Sequence, residues 1–393
     1  MTLSGSAGRG RDQNRQVDTV NDRETTTGRV RTPDSASLTL SQPLYRGGRT
    51  LAETSRAENL VQRGRAVLQG VEQTVLLDAA TAYANVLRDQ ATLDLNVNNE
   101  QVLTRQLQAA RDRFQVGEIT RTDVSQAEAR LERARADRIQ AEGNLTSSRS
   151  TYERVIGAVP SSRLAAARLP INLPRSEGEA IEGAASHPDV IASRFNEKAA
   201  ADDVDLVAGE KLPTVSLNSS LARNTETDTR GFQRDRGEVT VSVSVPLYQA
   251  GSVDASVREA KQTAGQRRLE AGDQRRRTQE SARRNWEALT TSRARITAFE
   301  AQIRASEIAL DGVEQEARVG LRTVLDVLDA EQELFTAKVN LVGARRDEVV
   351  ASYQLSSSTG RLSAAELGLP VDVYDPTRYY NETRDRWTGT GVD

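Results

Sequence analysis

Two aspartates lie one helical turn apart in the second half of the chain, and their spacing suits electrostatic work on ions. Asp326 and Asp329 are three residues apart in a segment with helical periodicity, so both carboxylates can lie on one face of a helix. If that face lined the narrow part of a pore, the converging carboxylates would favour cations and repel anions. Asp326 also stands where an aspartate can cap a helix, and capping is the alternative role for it.

Other kinds of chemistry have little support in the sequence. The chain has no cysteine and one histidine, His187, which excludes thiolate metal sites and thiol catalysis and leaves little room for histidine-based triads. There is no phosphate-binding glycine loop, and the acidic residues recur at helical surface spacing. A net charge of −3 gives no case for nucleic acid. We therefore expect no enzyme activity, no cofactor and no metal, and we expect His187 to begin a helix with Pro188.

The aspartates lie in the second copy of an internal repeat. Pro43 recurs as Pro246 and Gly117 recurs as Gly320, in each case 203 positions later, so neither copy has gained or lost a residue between these points. Loops tolerate insertions and deletions, and a segment without any is expected to be rigid. The copies differ at the candidate site, because the first has Gln126 where the second has Asp329.

Each copy begins with two segments in which apolar and polar residues alternate. One face of each segment is apolar, and the other carries small polar groups, as membrane β-barrel strands require. A half-buried strand of a soluble sheet is the alternative. Long polar loops are expected between the paired strands, at about residues 8–35 and 223–237. The four alternating segments are residues 2–7, 38–45, 214–221 and 239–248.

Each strand pair is followed by a long proline-free stretch with a helical apolar stripe. The stretches begin after Gly48 and Gly251 and end near Gly117 and Gly320, which at the rise of an α-helix predicts helices about 100 Å long. A return helix follows each of them. Its start is marked by a Thr-x-x-Asp sequence that resembles a capping box. Each copy therefore predicts a β-hairpin followed by a very long antiparallel helical hairpin.

This arrangement resembles the TolC family of outer-membrane efflux and type I secretion channels. The resemblance covers nearly the whole chain and depends on motifs that stay in register across both copies. At the strand–helix junctions these are Pro43-Leu44-Tyr45-Arg46-Gly47-Gly48 and Pro246-Leu247-Tyr248-Gln249-Ala250-Gly251. At the helical tips they are Val116-Gly117 with Thr122-Asp123-Val124, and Val319-Gly320 with Arg322-Thr323 and Asp326-Val327-Leu328-Asp329-Ala330.

The resemblance implies the fold and the division of the chain. The fold would be mostly α with a small β part, and a homotrimer would form a twelve-stranded barrel in the outer membrane of a Gram-negative bacterium, continued by an α-helical tunnel in the periplasm. In the second copy a helical stretch, residues 187–210, precedes the first strand, whereas the matching strand of the first copy begins at Thr2. From this difference between the copies we expect the natural N-terminus, one helix and any export signal to lie upstream. The expected segments are a first β-hairpin (1–48), a first helical hairpin (49–157), a connector and helix (158–210), a second β-hairpin (211–248), a second helical hairpin with the gate tip (249–360) and an equatorial C-terminal tail (361–393).

The resemblance also assigns roles to individual residues. Asp326 and Asp329 would line the constriction, and Arg322 would hold the tips closed by bonding to Thr122 and Asp123. The family pattern has a tyrosine five residues before this arginine, where this chain has Ala317, so the closed state is expected to be held differently. The tips that would contact an adaptor are Val116, Gly117, Val319 and Gly320, and the strand–helix junctions are marked by Pro43, Gly48, Pro246 and Gly251.

The function implied is that of a passive export duct. Its partners would be outer-membrane lipid, a periplasmic adaptor (membrane fusion protein) and an inner-membrane ABC or proton-driven transporter, whose docking would open the periplasmic end. A soluble coiled-coil scaffold, or the periplasmic adaptor itself, is the alternative. That alternative explains the helices but not four strands placed symmetrically before them.

Overall fold

The computed structural model describes residues 1–18, 20, 23–227, 231–386 and 389–391. Trp387 and Asp393, at the end of the predicted C-terminal tail, lie outside the described residues. The chain divides into two compact units, which we describe separately. The first comprises Met1–Val61 and Phe195–Arg268, and the second comprises Gln62–Arg194 and Leu269–Asp393.

The secondary structure is mostly helical, as predicted. The strands are β1 (Thr2–Ala7), β2 (Gly10–Asp18), β3 (Arg23–Arg31), β4 (Asp34–Arg46), β5 (Thr214–Thr225) and β6 (Gln233–Ser244). The helices are α1 (Arg49–Gln115), α2 (Arg121–Ile156), α3 (Glu177–Gly183), α4 (Pro188–Ala208), α5 (Ser252–Arg318), α6 (Val324–Ser358) and α7 (Pro376–Thr383). None of the described helices has both the length and the apolar composition that crossing a membrane requires.

The first unit contains a four-stranded antiparallel sheet in the order β1-β4-β5-β6. All four predicted segments are strands of this sheet. On one face, Val239, Val241 and Val243 are between 62% and 70% exposed. On the other, Asn218 joins neighbouring strands by accepting a hydrogen bond from Ser41 at 2.8 Å and donating one to Ser242 at 3.2 Å. The sheet therefore has an apolar face without a partner in this chain and a polar face that is hydrogen-bonded.

The lengths predicted for the loops at 8–35 and 223–237 were wrong, because both segments contain paired strands. Strands β2 and β3 pair within the first segment, and β5 and β6 remain paired as far as Thr225 and Gln233 in the second. Opposite charges across the strands stabilise these extensions, including Arg223 Nε with Asp235 Oδ1 at 2.7 Å. The extended parts of these strands have no apolar face, so their sequences do not show the alternation of apolar and polar residues that predicts a strand. Strand β6 also ends at Ser244, before the predicted end at residue 248.

The junction between β4 and α1 requires glycine. Gly47 has φ +64°, and a Cβ there would lie 2.8 Å from Leu212 Cβ and closer still to the carbonyl oxygen of Gly209. Gly48 has φ +75° with open space around it, and its carbonyl accepts from Leu51 N at 3.1 Å to begin α1. In the second copy, Gly251 also has φ +75°. Pro43 stands at an irregularity in the β4–β5 pairing, whereas Pro246 follows the end of β6.

We expect Gly47→Ala to lower the thermal unfolding midpoint much more than Gly48→Ala. Both substitutions place alanine at a positive φ, which costs about 1–2 kcal/mol, but only Gly47 has neighbours that a Cβ would strike. Circular dichroism at the helical minimum measures both midpoints. Equal midpoints for the two variants would show that the β4–α1 turn can move away from Gly209.

The second unit contains α2, α6, the parts of α1 and α5 that lead to the tips, and two apolar cores. One core joins α1, α2 and α6, and the other includes Ala282 and Leu355, both fully buried. His187 precedes α4 and Pro188 begins it, as predicted. The segment predicted as a connector and helix (158–210) contains the short helix α3 as well as α4. The residues of the first core are Leu103, Leu107, Ala110, Ala127, Leu131, Ala134 and Leu328.

Candidate functional site at the helical tips

The first helical tip is a tight turn between α1 and α2. Gly117 has φ +79°, its N–H donates to Phe114 O at 3.0 Å, and the next N–H, of Glu118, donates to Arg113 O at 3.0 Å. These two bonds close the end of α1 in a Schellman motif, which requires a residue in the left-handed conformation at this position. Val116 beside the glycine is 71% exposed.

The second tip, between α5 and α6, has the same geometry. Gly320 has φ +80°, and the N–H groups of Gly320 and Leu321 donate to Ala317 O at 3.2 Å and Glu316 O at 2.9 Å. Val319 is 71% exposed and Leu321 is 76% exposed. Each tip therefore presents apolar side chains to its surroundings on a rigid turn.

Both predicted capping boxes are present. At the start of α2, Asp123 Oδ2 accepts from Thr120 N and Thr120 Oγ1, each at 2.8 Å, and Asp123 N donates to Thr120 Oγ1 at 3.3 Å. At the start of α6, Asp326 Oδ2 accepts from Thr323 N and Thr323 Oγ1, again at 2.8 Å. The return helices therefore begin as the Thr-x-x-Asp sequences predicted.

The cap keeps Asp326 charged. Hydrogen bonds from the Thr323 backbone and hydroxyl, with the nearby positive charge of Arg322, hold the pKa of Asp326 below its usual range. Asp326 therefore caps α6, which was the alternative role for it. Capping is compatible with a role at a constriction, because the capping box uses only Oδ2 and the lowered pKa means that the carboxylate remains ionised at neutral pH.

Asp329 lies one turn further along α6 and pairs with the other repeat. Arg130 Nη2 on α2 donates to Asp329 Oδ1 at 2.6 Å, and the Asp329 side chain remains 58% exposed. Sequence analysis did not identify Arg130. One signal was available, because the equivalent position in the second copy is Glu333, of opposite charge. The positive charge of Arg130 compensates part of the charge of Asp329.

Arg322 makes its contact within its own hairpin. Its Nε donates to Glu316 Oε2 at 2.8 Å, and this bond with its charge raises the pKa of Arg322. Among the described residues, Arg322 makes no bond to Thr122 or Asp123, which were the predicted partners. Because Arg322 and Glu316 are each about half exposed, either can exchange partners at little cost.

A buried leucine anchors the tip of α6. Leu328 is 2% exposed and packs in the core that includes Leu103 and Leu107 of α1 and Leu131 of α2. Its equivalent in the first copy is Ser125, so only the second copy has an apolar side chain at this position. Because Leu328 packs against α1 and α2, the helix that carries Asp326 and Asp329 is held against the other hairpin.

Two repeats of strands and long helical hairpins are the arrangement in which the sequence resembles outer-membrane export ducts. The chain belongs to the outer membrane efflux protein family, which it matches over residues 1–158 and 182–361. The resemblance drawn from the sequence is therefore confirmed. The protein is an outer-membrane export duct, and it is located in the outer membrane.

Curated relatives and solved structures agree with this assignment. Outer membrane efflux protein BepC of Brucella suis is 36% identical over 368 residues, which cover 91% of this chain and 79% of BepC. Outer membrane protein TolC of Vibrio cholerae is 27% identical over 345 residues, covering 85% of this chain and 78% of TolC. The crystal structure of the Campylobacter jejuni CmeC outer membrane channel has a TM-score of 0.76 at 15% identity, covering 97% of this chain and 80% of CmeC, which shows a shared fold.

Proposed function

We propose that three copies of this chain close one twelve-stranded barrel whose helical tips form a gated periplasmic entrance. The observation that carries this proposal is the four-stranded sheet of the first unit. Its order leaves β1 and β6 at its edges, and its valine face is exposed. Four strands cannot close a barrel around a channel, whereas twelve can, and an outward apolar band is what lipid requires.

The gate would be formed by the acidic residues of α6. With threefold symmetry, Asp326 and Asp329 would form two stacked rings of carboxylates that favour cations. In the closed state Arg322 would exchange Glu316 for Thr122 and Asp123 at a neighbouring tip. Exposed ion pairs contribute about 0–1 kcal/mol each, so binding of a partner provides enough free energy to break them.

The partner surface would be the two tips. Exposed Val116, Val319 and Leu321, held on the rigid turns at Gly117 and Gly320, suit contact with a periplasmic adaptor (membrane fusion protein). The adaptor would connect the duct to an inner-membrane transporter, either an ABC secretion transporter or a proton-driven efflux pump. In this arrangement the duct is passive, and neither catalysis nor a cofactor is required of it.

Electron microscopy of the full-length protein in detergent tests the assembly. We expect particles with threefold symmetry, a short barrel and a helical part about 100 Å long, because α1 and α5 have 67 residues each and an α-helix rises about 1.5 Å per residue. Monomers or dimers that remain in solution without detergent would contradict the proposal and favour the coiled-coil scaffold.

A further inference from the structure

A cavity between α1, α5 and α6 contains a buried carboxylate. Its volume is about 410 Å³, and its lining includes Glu331 of α6, Glu314 of α5 and Gln106 of α1. Val102 and Phe335 are among the apolar residues of its wall. All of these residues come from one chain and from its second unit.

One oxygen of this carboxylate has no partner. Glu331 is 8% exposed, and its Oε1 accepts from Gln106 Nε2 at 3.1 Å. Its Oε2 is buried without a hydrogen-bond partner among the residues that the structure describes. A buried polar atom without a partner is unfavourable, and a buried charge more so. The group therefore requires either a proton or a donor from outside the chain.

The charges around Glu331 come from all three helices. Burial raises the pKa of Glu331, and Glu314 on α5 raises it further, while the bond from Gln106 and the charge of Arg105 on α1 lower it. Lys338 on α6 also lines the cavity, but its Nζ pairs with Glu307 Oε1 at 3.1 Å. Arg105 lines the cavity as well, and Glu314 Oε2 pairs with Arg318 Nη2 at 3.5 Å. Of the two carboxylates in the lining, Glu331 is therefore the one without an ion pair among the described residues.

We propose that this cavity binds small organic cations. An ammonium or amidinium group would donate to Glu331 Oε2, and the apolar body of the ligand would contact Val102, Leu334 and Phe335. Small-molecule sites combine apolar side chains with convergent polar groups, and the lining of this cavity has both. A charge-assisted bond to a carboxylate that is already buried is stronger than a neutral bond.

Isothermal titration calorimetry of the full-length protein in detergent tests the site, with benzamidine as the probe. Benzamidine carries an amidinium group on an apolar ring, and benzamide is its neutral counterpart of nearly the same shape. We expect benzamidine to bind once per chain, and Glu331→Gln to weaken the affinity at least about tenfold. Glu333→Gln is the matched control, because Glu333 is an exposed carboxylate on the same helix.

The affinity is also expected to depend on pH. Because the pKa of Glu331 is raised by burial, this carboxyl group takes up its proton at a higher pH than an exposed glutamate does, and binding of a cation should weaken as the pH is lowered. Absence of benzamidine binding by the unmodified protein would overturn the proposal. Equal affinity for benzamide would do the same, as would full binding by the Glu331→Gln variant. None of these results would bear on the trimer or the gate.

Discussion

Replacing Asp326 and Asp329 together by asparagine should reverse or abolish the cation preference that we propose for the duct. In the proposed trimer this double substitution removes six carboxylates from one constriction, and carboxylate rings are the source of cation preference in pores. Asparagine retains an oxygen that can accept from Thr323, so α6 keeps part of its cap. Reversal potentials in planar bilayers under a potassium chloride gradient measure the ratio of cation to anion permeability, and we expect it to fall by about tenfold, which corresponds to about 1.4 kcal/mol.

A matched control removes the same charge elsewhere near the tips. Asp112 and Asp311 are exposed aspartates on α1 and α5, and each accepts a hydrogen bond from a glutamine, at 2.9 Å and 3.0 Å. Their double replacement by asparagine should leave the permeability ratio nearly unchanged. If the two double variants behaved alike, the general charge of the tips would set the preference, and Asp326 and Asp329 would not form a constriction.

Removing the positive charge of Arg130 tests the same site in the opposite direction. Its bond to Asp329 compensates part of the charge of the proposed ring. We expect Arg130→Gln to raise the cation preference in the same bilayer measurement, because it leaves Asp329 without this partner. A lower cation preference in this variant would mean that Arg130 positions Asp329 toward the pore, and that its charge does not act on the ions.

Leu328→Ala should separate α6 from the other hairpin and make the duct leaky. Leu328 is 2% exposed within a core shared by α1, α2 and α6. Removing a buried leucine side chain costs about 2–5 kcal/mol, because the transfer free energy is lost and a cavity remains. This exceeds the 0–1 kcal/mol expected for an exposed ion pair. Single-channel recordings should therefore show a larger open fraction, and the thermal unfolding midpoint should fall.

Leu325→Ala is the control for this substitution. Leu325 is on the same helix, three residues earlier, but it is 37% exposed, so its truncation removes less buried area. A comparable open fraction in the two leucine variants would indicate that the closed state does not depend on packing of α6 against α1 and α2. A lower unfolding midpoint with an unchanged open fraction would separate stability from gating.

Several features could be predicted because they depend on neighbours along the chain. The capping boxes at Thr120 and Thr323 join residues three positions apart, and the turns at Gly117 and Gly320 require a backbone conformation that glycine adopts easily. The long helices follow from an apolar stripe without proline. The repeat added a second line of evidence, since each of these signals occurs twice at the same offset.

The paired extension of β2 and β3 could not be predicted in the same way. Its strands are polar on both faces, so no hydrophobic alternation distinguishes them from a loop. Their stability comes from hydrogen bonds and charges across the strands, among them Arg31 Nη2 with Asp12 Oδ2 at 2.9 Å. The pairing register that brings such charges together is a property of the folded hairpin.

By itself, the sequence determined the repeat, the helical hairpins, the capped tips and the family of this protein, because periodicity, turn residues and caps act over a few positions of the chain. Only the tertiary structure decided which side chains contact the acidic residues of α6. Arg130 and Asp329 are 199 positions apart, and Gln106 and Glu331 are 225 apart. Contacts at such separations depend on which helix faces pack together, and buried surface across the whole unit sets that packing.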